Sequence, residues 1–258
     1  PLKGEDIDLI NYARILEIAK ERTANAADYT FIFVGNFDID SLKPVVEKYI
    51  ASLPANKNRD KVGKISTIQP GLIDNNFTLP MQTAKSTVYA IYSGKQKYDL
   101  RSNIMFSMLD QIMDIVYTET IREEEGGTYG VGVSGSASRE PYNNYNMYMT
   151  FECDPEKANE LKPLLYKEVD NIIREGVTEE ELSKVVKNTL KEAEQSKQHN
   201  AYWLTTLVTY YKTGVNLNDP KNMETLVASI QPKDVQKFAK KFFKDADVID
   251  LIFSPQQK

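Results

Sequence analysis

The residues best placed to do chemistry lie together in one stretch, Thr120-Ile-Arg-Glu-Glu-Glu-Gly-Gly-Thr-Tyr-Gly-Val-Gly132. Arg122 stands near the end of a long predicted helix, two glycines turn the chain, and Tyr129 opens a predicted strand. The two residues are seven positions apart, and a sharp turn between them would bring their tips to one side of a sheet. We therefore predict that Arg122 and Tyr129 converge on a groove that holds a ligand. The structural alternative is that Arg122 complements a helix dipole and Tyr129 packs in the core.

The strand that follows is spaced by glycines, which leave its surface bare. Gly127, Gly130 and Gly132 are the candidate groove residues, and Gly135 continues the spacing. A bare strand lets a second backbone come close, and extended peptides bind proteins by adding a strand to such an edge. The dinucleotide fingerprint is not matched, because its glycine spacing is reversed here and it requires a strand before a helix.

The sequence contains too few donors for a catalytic metal. It has one histidine, His199, and one cysteine, Cys153, whereas catalytic zinc uses two or three histidines and a carboxylate. Neither H-E-x-x-H nor H-x-x-E-H occurs, so we predict no metal site and no complete catalytic set in this chain. His199 lies in a polar helical stretch and Cys153 in an alternating apolar run, which indicates a buried thiol. The acids at 123–125 and 179–181 are typical of a helix stop and a helix start.

Composition narrows the classes of partner. The 258 residues carry 32 basic and 37 acidic side chains, a formal net charge of −5, and these charges are mixed along the chain. The absence of a basic stripe argues against nucleic acid as a partner. No apolar run approaches the ~20 residues that span a bilayer, so no membrane span is predicted.

The first 54 residues predict a helix at 6–22, a buried strand at 29–34 and a helix that begins near Asp40 and ends at 53–54. Residues 55–63 are polar and without periodicity, which is typical of an interdomain linker. One apolar stripe of the first helix is expected to be buried, formed by Ile7, Ile10, Ile15 and Ile18.

Residues 64–258 predict a complete domain. Irregular strands at 65–79 and a firmer strand at 86–93 precede a long helix at 99–123, and then a hairpin of strands at 128–138 and 145–153. Helices follow from 154 to 244, with a capping box at Thr178–Glu181 and a break near His199, and a strand at 248–253 ends the chain. This order indicates an α+β fold, a two-layer sandwich of a mixed, mainly antiparallel sheet with helices on one face. The aromatic group of Tyr202, Trp203, Tyr210 and Tyr211 is interpreted as core packing.

The two ends of the chain resemble each other. Residues 18–34 and 238–254 align without a gap at an offset of 220, and both read as helix, turn and strand. The identical pairs are Ala19 and Ala239, Lys20 and Lys240, Ala26 and Ala246, Ile32 and Ile252, and Phe33 and Phe253. We therefore expect residues 1–54 to close an upstream domain equivalent to 64–258, with the strand at 29–34 left as an unpaired edge.

Two motifs resemble a known family. The run IREEEGGTYGV at 121–131, followed by a hairpin and a helical tail with Asn200-Ala-Tyr-Trp203, resembles the C-terminal half of M16 (pitrilysin/insulinase-like) zinc metallopeptidases. The run NAADYTFIFVGNFD at 25–38, with SLKPVVEKYIASLP after it, resembles the stretch that closes the preceding domain in that family. The resemblance covers essentially the whole chain.

The resemblance implies a clamshell of two halves, with Zn²⁺ held by an H-x-x-E-H helix in an N-terminal half that this chain lacks. It implies that Arg122 and Tyr129 reach across to peptide substrate and donate hydrogen bonds to its backbone, the tyrosine to the developing oxyanion. Peptide and the zinc-binding half, on the same chain or a separate subunit, are the implied partners, and a bacterial member would lie in the periplasm or cell envelope. Two alternatives stay open: an inactive structural or assembly subunit, and a small-molecule-binding α+β domain.

Overall fold

The computed structural model describes residues 3–57, 63, 69–95, 97–124, 128–140 and 142–256, and of residues 122–124 and 129 it describes the backbone alone. Within this part of the chain, the centre of the fold is a five-stranded sheet in the order β1-β5-β2-β4-β3. Its strands are β1 (Leu72–Leu79), β2 (Ser86–Gly94), β3 (Thr128–Ser138), β4 (Asn144–Cys153) and β5 (Asp247–Pro255). The helices are α1 (Tyr12–Thr23), α2 (Ile39–Tyr49), α3 (Leu100–Tyr117), α4 (Ala158–Glu175), α5 (Glu179–Ser196), α6 (Asn200–Thr213), α7 (Glu224–Ala228) and α8 (Pro232–Asp245).

The sheet is mixed and mainly antiparallel. Strand β5 enters its middle, parallel to β1 and antiparallel to β2, while β2, β4 and β3 follow as antiparallel neighbours. Helices α3, α4 and α8 pack on one face, and β2 alternates buried residues such as Val88 and Ala90 with half-exposed ones such as Tyr89 and Ile91. The predicted α+β fold with two layers is therefore confirmed.

The core lies between the sheet and α3. The repeated apolar residues of the helix predicted at 99–123 form its buried face: Ile104, Met108, Ile112 and Ile121 are buried, and Ile115 is half-buried. They pack with methionines and aromatic side chains of β4 and α8. Phe106 of α3 stands at the centre of this packing, with its ring 5.0 Å from that of Tyr145 and 5.3 Å from that of Phe242.

Local sequence signals determine where several helices begin and end. Asp99 accepts a hydrogen bond from the Ser102 amide at 2.8 Å and so begins α3. The predicted capping box begins α5, with the Thr178 amide donating to Glu181 at 2.7 Å and the Glu181 amide donating to Thr178 at 3.1 Å. Gly176, with a φ of 85°, ends α4 in a conformation that favours glycine.

A buried ion pair attaches α4 to the central strand. The Lys162 Nζ lies 2.8 Å from Oδ1 of Asp250 and 3.5 Å from Oδ1 of Asp74, which sits opposite Asp250 on β1. The Tyr166 hydroxyl donates to the other oxygen of Asp250. The ion pair and the tyrosine hydrogen bond together make this polar group a structural tie between the two layers.

The N-terminal segment differs from its prediction. Neither α1 nor α2 has a buried residue, and the expected stripe is exposed, with Ile7 at 66% and Ile10 at 60%. Residues 29–34 form no strand, so the predicted strand is wrong within this chain. The physical reason is that no second layer or neighbouring strand is present for this segment in the part of the chain described. Asp38, not Asp40, begins α2 by accepting from the Ser41 amide at 2.7 Å.

The expected linker and irregular strands are seen only in part. Residues 55–57 have no helix or strand, and residues 58–62 and 64–68 lie outside the described residues. Over the described ranges, no helix combines the length and hydropathy that a bilayer crossing requires.

Candidate functional site

Arg122 lies in a π-helical turn. Helix α3 continues beyond Tyr117 as a π-helix at Thr118–Glu124, and Arg122 is its fifth residue. Two buried side chains hold this turn in place. Tyr117 donates a hydrogen bond to the Leu165 carbonyl at 2.5 Å, and Ile121 is fully buried. Single π-helical turns are rare and occur often at functional sites, because they shift the side chains that follow.

Tyr129 lies in a β-bulge. Thr128 of β3 is opposite Cys153 of β4, and Gly130 is opposite Glu152, so two steps along β3 correspond to one step along β4. Tyr129 is the extra residue. A bulge bends an edge strand and changes the direction of a side chain, and bulges are common beside active sites. The side chains of Arg122 and Tyr129 are outside the described part of the structure, so their predicted convergence stays a prediction.

The glycine strand forms one edge of the sheet. Strand β3 is last in the strand order, and no described strand pairs with its outer side. A Cβ added at Gly130 would meet nothing within 4 Å, and one added at Gly132 would meet only a Thr150 methyl at 3.9 Å. Nothing within the described chain therefore requires glycine at these two positions. Gly127 lies outside the described residues.

Gly135 is glycine for a different reason. A Cβ at that position would lie 2.8 Å from Cε1 of Phe106 and 3.0 Å from Oδ1 of Asp110. Helix α3 packs so closely on the strand that no side chain fits there. The expectation that Gly135 helps to keep the strand bare is therefore wrong, because its surface is covered by α3.

Two carboxylates of α3 reach this edge, and neither was among the site residues predicted from the sequence. Asp114 Oδ1 accepts a hydrogen bond from the Val133 amide at 3.1 Å. One turn earlier, the carboxyl of Asp110 lies against Gly135 and has no hydrogen-bond partner at Oδ1. Burial raises the pKa of Asp110, the neighbouring charge of Asp114 raises it further, and the Gly135 amide lowers it. Acidic residues four apart on an apolar helix were the available signal.

The remaining candidates do not form a site. His199 precedes α6 as an exposed residue, and Cys153 is fully buried in β4. Burial and the nearby charge of Asp154 raise the pKa of the Cys153 thiol to about 11, so the buried-thiol interpretation agrees with the structure. The core-packing interpretation of the aromatic group is wrong for Trp203, Tyr210 and Tyr211, which are 39%, 52% and 65% exposed.

The residues present do not fit a zinc ion. A zinc site needs clustered histidine, cysteine or carboxylate donors. Over the described ranges, no group of three or more such residues is arranged to hold a metal. The one cysteine is enclosed in the sheet as a thiol, and the one histidine lies on the surface of a helical region.

Known proteins resemble this chain in sequence. The family model described as "Peptidase M16 inactive domain" matches residues 10–189. The zinc protease PQQL-like of Arabidopsis thaliana is 22% identical over 85% of this chain and 24% of its own length. The probable zinc protease PqqL of Escherichia coli K12 is 24% identical over 72% of this chain and 20% of its own. The chain thus spans about a quarter of the curated relatives that it matches.

Solved structures share the fold. The periplasmic protease PqqL from Escherichia coli superposes with a TM-score of 0.80 at 19% identity, covering 99% of this chain and 28% of that one. A peptidase M16 inactive domain from Pseudomonas fluorescens superposes with a TM-score of 0.77 at 16% identity, covering 98% of this chain and 60% of that one. Since the family model spans most of the sequence, from α1 into α5, the chain belongs to the M16 peptidase family and matches its inactive domain.

Proposed function

We propose that this chain is the substrate-binding, zinc-free C-terminal portion of an M16 zinc metalloendopeptidase that hydrolyses peptides. An extended peptide lies along the edge of β3, and Arg122 and Tyr129 donate hydrogen bonds to its backbone. The zinc-binding half, on the same polypeptide or on a separate subunit, supplies the hydrolytic chemistry. The family membership and the zinc-protease relatives support the reaction class.

The observation that carries this proposal is the pair of backbone irregularities that flank an open strand edge. Arg122 lies in the π-helical turn before the edge, and Tyr129 is the extra residue of the bulge at its start. Regular backbone would be less costly at both places, and irregular elements of this kind are typical of functional sites. Gly130 and Gly132 leave the adjacent strand surface free for a second backbone.

The proposed chemistry uses only hydrogen-bond donors. A guanidinium donates through as many as five N–H groups and a phenol through one O–H, and neither is a base at neutral pH. Donors held in fixed positions stabilise the oxyanion that forms when a peptide carbonyl is attacked. Because these residues stabilise charge and do not generate a nucleophile, we propose that the chain alone does not cleave peptides.

We further propose that the chain contains parts of two domains. Residues 1–54 are the last elements of an upstream domain, residues 55–63 are the linker between the two domains, and residues 64–258 are a complete C-terminal-type domain. In support, the described strands of the sheet all lie between residues 72 and 255, and α1 and α2 bury no residue. In the repeated segment, Ala239 and Ile252 are buried, whereas their equivalents in the first copy are exposed at Ala19 and half-buried at Ile32.

A periplasmic or cell-envelope location is part of the proposal. It is supported by the solved periplasmic protease PqqL from Escherichia coli, whose fold matches along 99% of this chain. Fractionation of cells that express the complete protein at its native level tests this location, and recovery in the cytoplasmic fraction alone would contradict it.

The decisive experiment removes one hydroxyl. In the complete protein with its zinc-binding half, Tyr129→Phe is expected to lower kcat for a quenched fluorescent peptide by about 100-fold, because one oxyanion donor is lost. Arg122→Lys keeps the charge and loses the planar fork, so it is expected to raise KM and lower kcat. Zinc content and Tm should not change.

The matched control is Tyr148→Phe, which removes the hydroxyl of a tyrosine on β4 that is 42% exposed. Its kcat/KM should equal that of the unmodified protein. If Tyr129→Phe leaves kcat/KM unchanged, the proposed role of Tyr129 is wrong. If the complete protein lacks peptidase activity and holds no zinc, the chain belongs to an inactive assembly subunit instead.

A further inference from the structure

The open edge of β3 is not free along its whole length. In an antiparallel pair, residues alternate between bonding the partner strand and pointing their amides outward. The Val133 amide bonds to Asp114 of α3, so it points outward, away from β4. By the same alternation, the amides of Gly135 and Val131 also point outward.

Two consecutive outward positions are already covered by carboxyl groups of α3. Asp114 accepts from Val133 at 3.1 Å, and Asp110 lies against Gly135. Four residues of an α-helix advance by ~6 Å, and two residues of an antiparallel strand advance by ~6.8 Å. The two spacings nearly match. Carboxylates four residues apart on α3 can therefore each lie beside an outward position of β3, provided that the helix and the strand run in opposite directions.

In the part of the chain described, no third carboxylate of α3 covers the next outward position of β3, Val131. The helix position one turn after Asp114 is Thr118, where the α-helix ends and the π-helical turn begins. Among the described side chains, none accepts a hydrogen bond from the Val131 amide. Within the described residues, the edge is consequently covered at Val133 and Gly135 and uncovered over 128–132, next to the bulge at Tyr129.

We propose that Asp114, backed by Asp110, ends the open edge of β3 at Gly132 and thereby restricts the site to a short extended segment of peptide. This inference rests on the proposed function, because it assumes that peptide binds by strand addition. The substrate chain pairs with β3 through the outward groups of Val131 and with the bulged segment before it, and it leaves the edge before Val133. Asp114 acts as a specificity-determining residue that excludes longer β-structured segments.

N-methylation of single amides in a peptide identifies the peptide positions that pair with β3. The probe is a fluorescein-labelled octapeptide of alternating Thr and Val, made in versions with one N-methyl group at each position in turn. A methylated amide cannot donate, and one lost backbone hydrogen bond weakens binding by about fivefold. Fluorescence anisotropy with the 258-residue chain is expected to show one or two sensitive positions.

Asp114→Ala removes the cap over Val133 and is expected to add one sensitive position, two residues beyond the others. Asp114→Asn keeps an acceptor oxygen for the Val133 amide and should show the pattern of the unmodified chain. Circular dichroism and Tm confirm that both variants fold.

The outcomes separate this inference from the proposed function. If no position is sensitive in the unmodified chain, strand addition itself is wrong. If positions are sensitive but Asp114→Ala adds none, strand addition stands and the role of Asp114 is wrong. Sensitivity at three or more alternate peptide positions with the unmodified chain would also overturn the role of Asp114, and this result does not depend on the folding of any variant.

Discussion

At the scale of single residues, the glycines of β3 serve different ends. Gly130 has open space where a Cβ would stand, whereas at Gly135 the ring of Phe106 would be 2.8 Å away. Neither residue has a positive φ, so conformation does not explain either glycine. Packing against α3 explains Gly135, and the proposed approach of a peptide backbone explains Gly130.

These two reasons predict that alanine affects stability at one glycine and peptide binding at the other. Gly135→Ala is expected to destabilise the fold by about 1–3 kcal/mol, because the added methyl overpacks a close helix–strand contact. Gly130→Ala should change the free energy of unfolding by less than ~0.5 kcal/mol, as a surface substitution does. It should nevertheless weaken peptide binding about tenfold, equivalent to ~1.4 kcal/mol.

Urea unfolding measures the first quantity, and anisotropy with the labelled octapeptide measures the second. Ser134→Ala, at an exposed position of the same strand, is the control for both and should leave them unchanged. A Gly130→Ala chain that binds peptide normally would remove the glycine argument for a groove at this part of β3.

At the scale of elements, the contact between α3 and β3 combines apolar packing with a half-buried acid. Burial, and then the charge of Asp114, raises the pKa of Asp110 above its ordinary value of 3.8. A raised pKa in the folded state means that folding favours the protonated acid. The contribution of Asp110 to stability is therefore present below its unfolded pKa and is lost as pH rises through its folded pKa.

Asp110→Asn is expected to raise Tm at pH 7 and to change it little at pH 3, because the amide never takes on the charge that burial penalises. Thermal unfolding at intervals between pH 3 and pH 8 tests this, and the difference in Tm from the unmodified chain should grow with pH. Glu160→Gln removes an exposed carboxylate from α4 and is the control for the change in net charge. A difference in Tm that is constant with pH would show that the charge of Asp110 is not the cause.

Elements that depend on neighbouring residues could be predicted from the sequence, and those that depend on distant ones could not. The caps at Asp99 and Thr178, the stop at Gly176 and the alternation of β2 follow from interactions within a few residues. The insertion of β5 beside β1 pairs residues 176 apart, as in Leu72 and Val248, and no local pattern encodes it.

In the candidate site, too, the features set by neighbouring residues could be predicted from the sequence, and those set by distant residues could not. The position of Arg122 near a helix end and of Tyr129 near a strand start could be predicted from the glycines between them. The π-helical turn and the bulge could not, because each depends on buried anchors such as Tyr117 and on the pairing of β3 with Cys153 and Glu152. The carboxylate cap over Val133 likewise requires the packing of α3 on the strand.

At the scale of the whole molecule, the N-terminal segment and the sheet are stabilised in different ways. The segment has local ties: the Ala26 amide donates to the Pro54 carbonyl at 2.8 Å, and the Tyr29 hydroxyl donates to the Arg22 carbonyl at 2.7 Å. Its large apolar side chains remain exposed, with Phe31 at 44% and Phe33 at 46%. The sheet, in contrast, buries the side chains of three helices against one face.

Removing residues 1–54 should consequently leave the fold intact. We expect Tm to change by less than ~2 °C, which for a domain of this size is under ~1 kcal/mol, because α1 and α2 contribute no buried residue to the core. Binding of the dye ANS should fall sharply, because residues 1–54 carry many of the exposed large apolar side chains to which the dye binds. Differential scanning fluorimetry and ANS titration provide the two measurements.

The double substitution Phe31→Asp and Phe33→Asp removes apolar surface without shortening the segment. It therefore distinguishes the effect of that surface from the effect of deleting residues 1–54. In the 258-residue chain it should lower ANS binding and leave Tm unchanged, because neither ring packs in the core. In the complete protein it should destabilise the upstream domain, because the repeat places these rings where Leu251 and Phe253 stand in β5, between two neighbouring strands. If the complete protein tolerates both aspartates with unchanged Tm, residues 29–34 do not complete an upstream sheet and the two-domain assignment is wrong.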